Sequence, residues 1–253
     1  MFGWIDRAFR RPPEALPTVP AGVRVYAIGD IHGRRDLLDE LLAMIVADCA
    51  GAMASAQIIF LGDYIDRGPA SAAVLDRLVT PLPGVGGWRC LAGNHEAAMA
   101  SVLAGDFSVM SDWLQFGGLA TLESYGISPR EVAAGGVILE SAMSRIPPEH
   151  RKFVAGLEDH ATVGSYLFVH AGIRPGVALA KQDRRDLLAI RQAFLADDRA
   201  HDHVVVHGHS ISAEVEIRHN RIGIDTGAYR TGQLTALVLE GASRSLLQTG
   251  TRG

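Results

Sequence analysis

The chain has 253 residues, of which 48% are hydrophobic and 21% are charged, and its formal net charge is −4 at pH 7. This is the composition of an ordinary globular protein with an ample core, and the slightly acidic balance disfavours a nucleic-acid-binding surface, which needs a basic face. No apolar run approaches the roughly 18 residues of a membrane span, and the two cysteines form no CxxC motif, so we expect a cytoplasmic protein without disulfide bonds.

Residues 1–21 are predicted to be an extension and linker that precedes a single domain over residues 22–253. Phe2, Ile5 and Phe9 share one side of a helical projection, which would suit a helix on a membrane surface or against a partner. A frayed terminus followed by a proline-rich linker is the plainer interpretation, and it is the one favoured here. The first residues lack a basic region followed by an apolar core, so no secretory signal is expected.

From residue 22 onward the pattern alternates between short β-branched or aromatic runs, which predict strands, and apolar residues at helical spacing. The predicted strands are 23–28, 57–61, 88–92, 166–169, 203–206, 214–218, 221–224 and 234–239, and the predicted helices are 34–48, 71–79 and 96–103. Three βα units in succession predict a largely parallel sheet. Residues 105–158 predict short helices over its rim, and the end of the chain predicts an antiparallel run. The expected fold class is α/β (α+β), with two mixed sheets packed face to face and helices outside.

Five of the apolar runs end in a cluster of glycine with aspartate, asparagine or histidine. The clusters are Gly29-Asp30-Ile31-His32-Gly33, Gly62-Asp63-Tyr64-Ile65-Asp66-Arg67-Gly68, Gly93-Asn94-His95-Glu96, His170-Ala171-Gly172 and His207-Gly208-His209. Open α/β folds build their sites at the carboxyl ends of strands. We therefore expect these side chains to meet at one edge of the fold, with glycines shaping the tight turns.

The clusters contain the ligand types for two metal ions. Asp30 and His32 can converge on one ion, and Asp63 can bridge two ions because a carboxylate has two oxygens. A second ion would be bound by one neutral oxygen and two imidazoles: Asn94, His170 and His209. Oxygen and imidazole ligands without thiolate suit a catalytic Mn, Fe or Zn. Two such ions clamp both oxygens of an in-line displacement and turn a bound water into a hydroxide nucleophile.

Three further residues of the clusters complete the chemistry of a phosphoester hydrolase. Arg67 offers a planar bidentate donor for a phosphate, beside ions that leave the site electropositive. His95 follows a metal ligand directly, so that it can hand a proton to the leaving oxygen without binding an ion. Asp66 can orient this imidazole and keep its pKa up.

The motifs GDIHG, GDYIDRG, GNHE, HAG and GH, in this order, resemble those of the phosphoprotein phosphatase family within the calcineurin-like metallophosphoesterases, above all its bacterial and phage serine/threonine phosphatases. The resemblance spans about residues 23–239, implies a β-sandwich with flanking helices, and makes residues 22–253 the catalytic domain. It implies Arg67 as a phosphate contact and His95 with Asp66 as the acid pair. It also implies two ligand sets that share one carboxylate: Asp30, His32 and Asp63, and Asp63, Asn94, His170 and His209.

The resemblance also implies an arginine between the HAG and GH motifs that contacts the phosphate. Arg191 resembles it best, with Arg174, Arg184 and Arg185 as rivals. Tyr229 follows a predicted strand in a stretch that resembles a segment near the active site of family members, so it is a candidate substrate contact.

Several other residues near the motifs are expected to be structural. Glu96 sits in the first turn of a helix, where acids are favoured, and Trp113 and Tyr125 are expected to be packing residues. His207 either backs a metal ligand or is simply packed beside one, and the sequence leaves these two alternatives open.

The expected function is metal-dependent hydrolysis of phosphomonoesters, with a phosphoserine, phosphothreonine or phosphotyrosine protein or a small phosphoester as substrate and Mn as the expected metal. The alternative is a symmetrical dinucleoside polyphosphate hydrolase, for example of diadenosine tetraphosphate, which shares all these motifs. Only 6% of the residues are aromatic, and few stand near the motifs, which disfavours a site that stacks nucleobases. A non-catalytic regulatory protein would lack some metal ligands or the acid, and none is lacking. The oligomeric state stays open.

Overall fold

The computed structural model describes residues 16–49 and 51–250. The N-terminal helix considered over residues 2–9 therefore lies outside the described residues. Within the predicted linker, Val19 is buried and its amide donates to the Gly241 carbonyl at 3.0 Å, so this part of the linker packs onto the domain. Among the described residues, no helix combines the length and the apolar character that a membrane crossing requires.

The described residues form ten strands: β1 (Arg24–Ile28), β2 (Ala56–Phe60), β3 (Gly87–Cys90), β4 (His160–Val163), β5 (Tyr166–Val169), β6 (Val204–His207), β7 (Glu216–Ile217), β8 (Arg221–Gly223), β9 (Thr235–Glu240) and β10 (Ser243–Gln248). The α-helices of the described residues are α1 (Arg35–Asp48), α2 (Ser71–Leu78), α3 (Asn94–Leu103), α4 (Met110–Trp113), α5 (Leu119–Ser124), α6 (Pro129–Ala134), α7 (Gly136–Met143), α8 (Pro148–Ala155), α9 (Arg184–Ala189), α10 (Gln192–Leu195) and α11 (Ala228–Thr231). A π-helical stretch, Leu114–Gly118, joins α4 to α5, and short 3-10 turns lie at Met53–Ser55, Phe107–Val109 and Leu179–Lys181.

The strands form two five-stranded sheets, which confirms the predicted pair of mixed sheets. The first has the order β10-β9-β1-β2-β3, and the second has the order β4-β5-β6-β8-β7. In the first sheet β1, β2 and β3 are parallel, and in the second β5, β6 and β8 are parallel. The predicted antiparallel run at the end of the chain is divided between the sheets, because β7 and β8 pair in the second whereas β9 pairs with β1 in the first.

Strand β1 shows why the sandwich buries both faces of its first sheet. Side chains alternate along a strand, so Val25 and Ala27 lie between the two sheets with Phe168. Tyr26 lies on the opposite face and packs with Leu41 of α1. Full burial of a side chain such as Val25 or Phe168 contributes roughly 1.5–3 kcal/mol. The second sheet is covered on its outer face by α9 and α10.

Candidate active site

The loops that carry the predicted motifs meet at one rim of the sandwich and are hydrogen-bonded to one another. The His170 ring donates from Nδ1 to the Leu61 carbonyl at 2.9 Å, which joins the second sheet to the first. The Gly208 amide donates to the His170 carbonyl at 2.8 Å, and the Ile31 amide donates to the Asp63 carbonyl at 3.0 Å. The carboxyl ends of β1, β2, β5 and β6 therefore present their polar side chains to a single volume.

Backbone strain in the described part of the chain is concentrated in this rim. The non-glycine residues with positive φ, between 46° and 72°, are all motif residues: His32, Asp63, Asp66, Arg67 and His209. Such conformations cost of the order of 1–3 kcal/mol each and persist only where the surroundings hold them. The rest of the fold therefore stabilises a set of loop conformations that aim these side chains.

The imidazoles direct lone pairs at oxygen atoms, an arrangement that calls for a cation. His32 donates from Nδ1 to the Ile65 carbonyl at 2.8 Å, which leaves its Nε2 as the lone-pair atom, 3.6 Å from Asp63 Oδ2. His170 uses its Nδ1 in the same way, and its Nε2 lies 3.4 Å from Asp63 Oδ1 and 3.1 Å from Asn94 Oδ1. Histidine metal ligands have this outer hydrogen bond to a carbonyl as a rule.

The donor set fits two divalent ions that share Asp63. His32 and Asp63 place ligand atoms within 4.8 Å of one another, with a ring nitrogen of the candidate acid His95 beside them, and Asp63, His170 and His209 form a second such group. Burial lowers the pKa of His32 and of His209 to about 3, so both imidazoles are neutral, as metal ligands must be. Asn94 Oδ1 lies 3.1 Å from His170 Nε2, and its binding to the second ion stays a prediction.

Asp30 is buried beside His209 and near Asp225, a residue that sequence reasoning missed. Its two carboxylate oxygens accept from the His209 amide at 3.2 and 3.1 Å. Asp225 is also buried, and burial raises the pKa of its carboxyl to about 6. The sequence could have identified Asp225, because it follows strand β8 and precedes Gly227. The motif aspartates follow their strands in the same way. The assignment of Asp30 to the first ion stays a prediction.

His95 and Asp66 form the pair expected of a general acid. His95 Nδ1 donates to Asp66 Oδ2 at 2.5 Å, and both side chains are almost completely buried. Burial opposes the charged imidazole, but the carboxylates of Asp63 and Asp66 raise the pKa of His95. Its Nε2 lies 3.7 Å from Asp63 Oδ2, so this nitrogen faces the candidate metal ligands.

Arg67 and Tyr229 lie together over the imidazoles. The Arg67 guanidinium is 2.9 Å from His32 Nε2 and 3.1 Å from His95 Nε2, and it stacks over the Tyr229 ring at 5.0 Å from the centroid. The guanidinium therefore sits at the mouth of the metal group, where a phosphate would arrive.

Above these residues opens a cavity of about 820 Å³, lined by Asp63, Arg67, Asn94 and His95 at its floor and by Phe116, Arg191 and Tyr229 on its walls. Among the arginines that the sequence left in competition, Arg191 is the one that lines this cavity. Arg174, Arg184 and Arg185 pair instead with surface carboxylates at 2.6 to 2.8 Å. Phe116 was not singled out from the sequence, yet its side chain is 58% exposed here.

Two residues with open or structural assignments can be placed. The Glu96 carboxylate accepts from the amides of Asp63, Tyr64 and Gly93 at 2.8 to 3.0 Å, in line with a structural role at the start of α3. The His207 ring packs edge-on against Phe194 at 5.2 Å, which favours the packing interpretation.

Residues 23–233 match the family model for the calcineurin-like phosphoesterases. The chain belongs to this family. A symmetrical bis(5'-nucleosyl)-tetraphosphatase of Janthinobacterium sp. (strain Marseille) is 29% identical over an alignment 261 positions long. The alignment covers 85% of this chain and 92% of that protein. A zinc-dependent endopolyphosphatase of Saccharomyces cerevisiae is 24% identical over 250 residues, 83% of this chain and 74% of that protein.

A solved structure described as a candidate diadenosine tetraphosphatase superposes with a TM-score of 0.63 at 20% identity, and the match covers 94% of this chain and all of that one. This likeness confirms the fold. As a calcineurin-like phosphoesterase, the protein is a metal-dependent hydrolase of phosphoric esters. The two groups of His and Asp ligands that share Asp63 could hold its metal ions.

Proposed function

We propose that the protein hydrolyses dinucleoside polyphosphates symmetrically, the substrate class that the sequence analysis placed second. The observation that carries this proposal is Phe116, an exposed aromatic ring on the wall of the catalytic cavity. Few aromatic residues stand near the motifs in the sequence, which disfavours a nucleotide. Phe116 is distant from every motif in the chain but lines the cavity in the folded protein, and this supports a site that stacks a base. The name of the Janthinobacterium relative agrees with this substrate class.

The size and charge of the cavity suit a polyphosphate with a base attached. A volume of about 820 Å³ is in the range of sites that bury small molecules, roughly 300–1,000 Å³. Arg67 and Arg191 line this cavity and supply charge-assisted donors to the phosphate oxygens. A base can stack on Phe116, and such stacking contributes about 1–3 kcal/mol.

Different residues of the chain have different roles in the proposed hydrolysis. Two divalent ions, when bound by the ligand groups, would activate a water and polarise the phosphoryl oxygens. Arg67 and Arg191 bind and orient the phosphate chain. His95 donates its Nε2 proton to the leaving phosphate oxygen, while Asp66 keeps the Nδ1 proton in place and stabilises the charged imidazole.

The test compares diadenosine tetraphosphate, a phosphopeptide and p-nitrophenyl phosphate on protein loaded with Mn²⁺ or Zn²⁺. We expect the dinucleotide to have the highest kcat/KM and to yield two ADP, because symmetrical cleavage leaves no ATP or AMP. Faster turnover of the phosphopeptide would instead support the phosphoprotein phosphatase that the motifs first suggested, and the proposal would be wrong.

A substitution then tests the stacking residue. Phe116→Ala should lower kcat/KM for the dinucleotide roughly 5- to 150-fold, the equivalent of about 1–3 kcal/mol of stacking, and leave p-nitrophenyl phosphate unaffected. Phe116→Trp should retain activity, and Val137→Ala, which truncates another exposed apolar side chain outside the cavity, is the control. Equal losses on both substrates after Phe116→Ala would contradict a role in binding the base.

A further inference from the structure

Asp66 lies at the centre of a buried hydrogen-bond network that extends from the acid pair into the helical segment after α3. Besides His95, its Oδ2 accepts from the indole Nε1 of Trp113 at 2.8 Å. Its Oδ1 accepts from the Thr121 hydroxyl at 2.6 Å. Asp66 and Thr121 have no exposed surface and Trp113 is 1% exposed, so these donors take the place of water around a buried carboxylate.

Thr121 also holds the backbone of the same aspartate. The Asp66 amide donates to Thr121 Oγ1 at 2.9 Å and to Ser71 Oγ at 3.0 Å. Asp66 has φ of 72°, a conformation that is costly for a residue with a side chain and persists only where contacts impose it. The hydroxyl of Thr121 thus accepts from the backbone of Asp66 and donates to its side chain.

The position of the Trp113 ring is set by close packing. A Cβ atom on Gly118 would lie 2.8 Å from ring atoms of Trp113, so the indole fits against bare backbone of the π-helical stretch. With the ring fixed there, its single polar atom points at Asp66 Oδ2. A tryptophan that only filled space would have no need of this alignment, because a buried N–H can be satisfied by any nearby carbonyl.

We propose that Trp113, with Thr121, is a positioning residue for proton donation: it fixes the Asp66 carboxylate so that His95 presents Nε2 to the leaving oxygen. The segment that follows α3 thereby supports the acid as well as lining the substrate cavity. This positioning role applies to hydrolysis of a phosphomonoester as well as of a dinucleotide, so it can be tested independently of the proposed substrate.

The test uses leaving groups that differ in their need for a proton. Trp113→Phe removes the indole N–H and should lower kcat for phenyl phosphate about 10-fold or more, part of the 10²–10⁴ that a general acid contributes. Turnover of 2,4-dinitrophenyl phosphate, whose leaving oxygen departs without a proton, should change little, and KM and metal content should be unchanged. Trp88→Phe is the control, since it removes an indole that donates to the Leu78 carbonyl far from the acid.

A second pair of variants and a spectroscopic measurement distinguish a specific effect on the acid from a general loss of structure. Thr121→Val should reproduce the leaving-group dependence, and Thr121→Ser, which keeps the hydroxyl, should restore the activity. In proton NMR of the protein loaded with diamagnetic Zn²⁺, the resonance of the proton on His95 Nδ1 should shift in Trp113→Phe and not in Trp88→Phe. An equal loss of rate with both leaving groups, or an unshifted resonance, would overturn the proposal.

Discussion

Replacing Gly62 by alanine should destabilise the protein and should also weaken its binding of metal ions. Gly62 has φ of 108°, and a Cβ there would lie 2.6 Å from the Gly93 amide nitrogen and 2.9 Å from His170 Nδ1. These two neighbours belong to the loops that carry the second ligand set. The new methyl group would therefore push the loop before Asp63 away from Asn94 and His170.

The expected loss of unfolding free energy in Gly62→Ala has two parts, and a control variant separates them. A side chain at positive φ costs about 1–2 kcal/mol, and overpacking a buried contact costs about 1–3 kcal/mol, so we expect Gly62→Ala to lose roughly 2–5 kcal/mol of unfolding free energy. Gly105 has φ of 94° with open space around it. Gly105→Ala should therefore lose only the first part.

Urea unfolding of both variants, with and without Mn²⁺, measures these quantities, since a change in midpoint at constant slope reports stability. The stabilisation that Mn²⁺ confers should fall in Gly62→Ala and stay at the wild-type value in Gly105→Ala, because ligand binding to the folded state adds to stability. Equal losses in the two variants would refute the view that close contact at Gly62 holds the ligand loops together.

Two further predictions concern the division of roles in the site. Asp63→Asn should lower the amount of bound metal measured by atomic absorption, because it removes the shared carboxylate. His95→Asn should keep the metal and lower kcat about 10²–10⁴-fold. Equal loss of metal in both variants would contradict the assignment of Asp63 as a ligand and His95 as the acid. Arg191→Ala should raise KM for the phosphate substrate about 10-fold, as expected for a charge-assisted hydrogen bond, while Arg185→Ala, which removes an arginine paired with a surface aspartate, should leave KM unchanged.

The motif side chains were predictable because their positions follow from local pattern. An apolar strand that ends in Gly-Asp or Gly-His delivers a polar side chain to the sheet edge whatever the rest of the chain does. Asp225 obeys the same rule and could have been found by it. Phe116 and Trp113 could not, because an exposed aromatic and a buried one look alike in a helical sequence until packing orients them.

By itself, the sequence determined where the motif-bearing strands end, to within two residues, and it determined the ligand types and hence the chemistry of phosphoester hydrolysis. Only the tertiary structure decided which arginine faces the cavity: Arg191 lines it, whereas the rival arginines pair with other carboxylates. It also decided that β9 leaves the neighbouring hairpin to pair with β1, from Arg24 opposite Glu240 to Ile28 opposite Ala236. Pairing between segments so far apart in the chain depends on which surfaces remain to be buried after the local units form, and no local pattern encodes that choice.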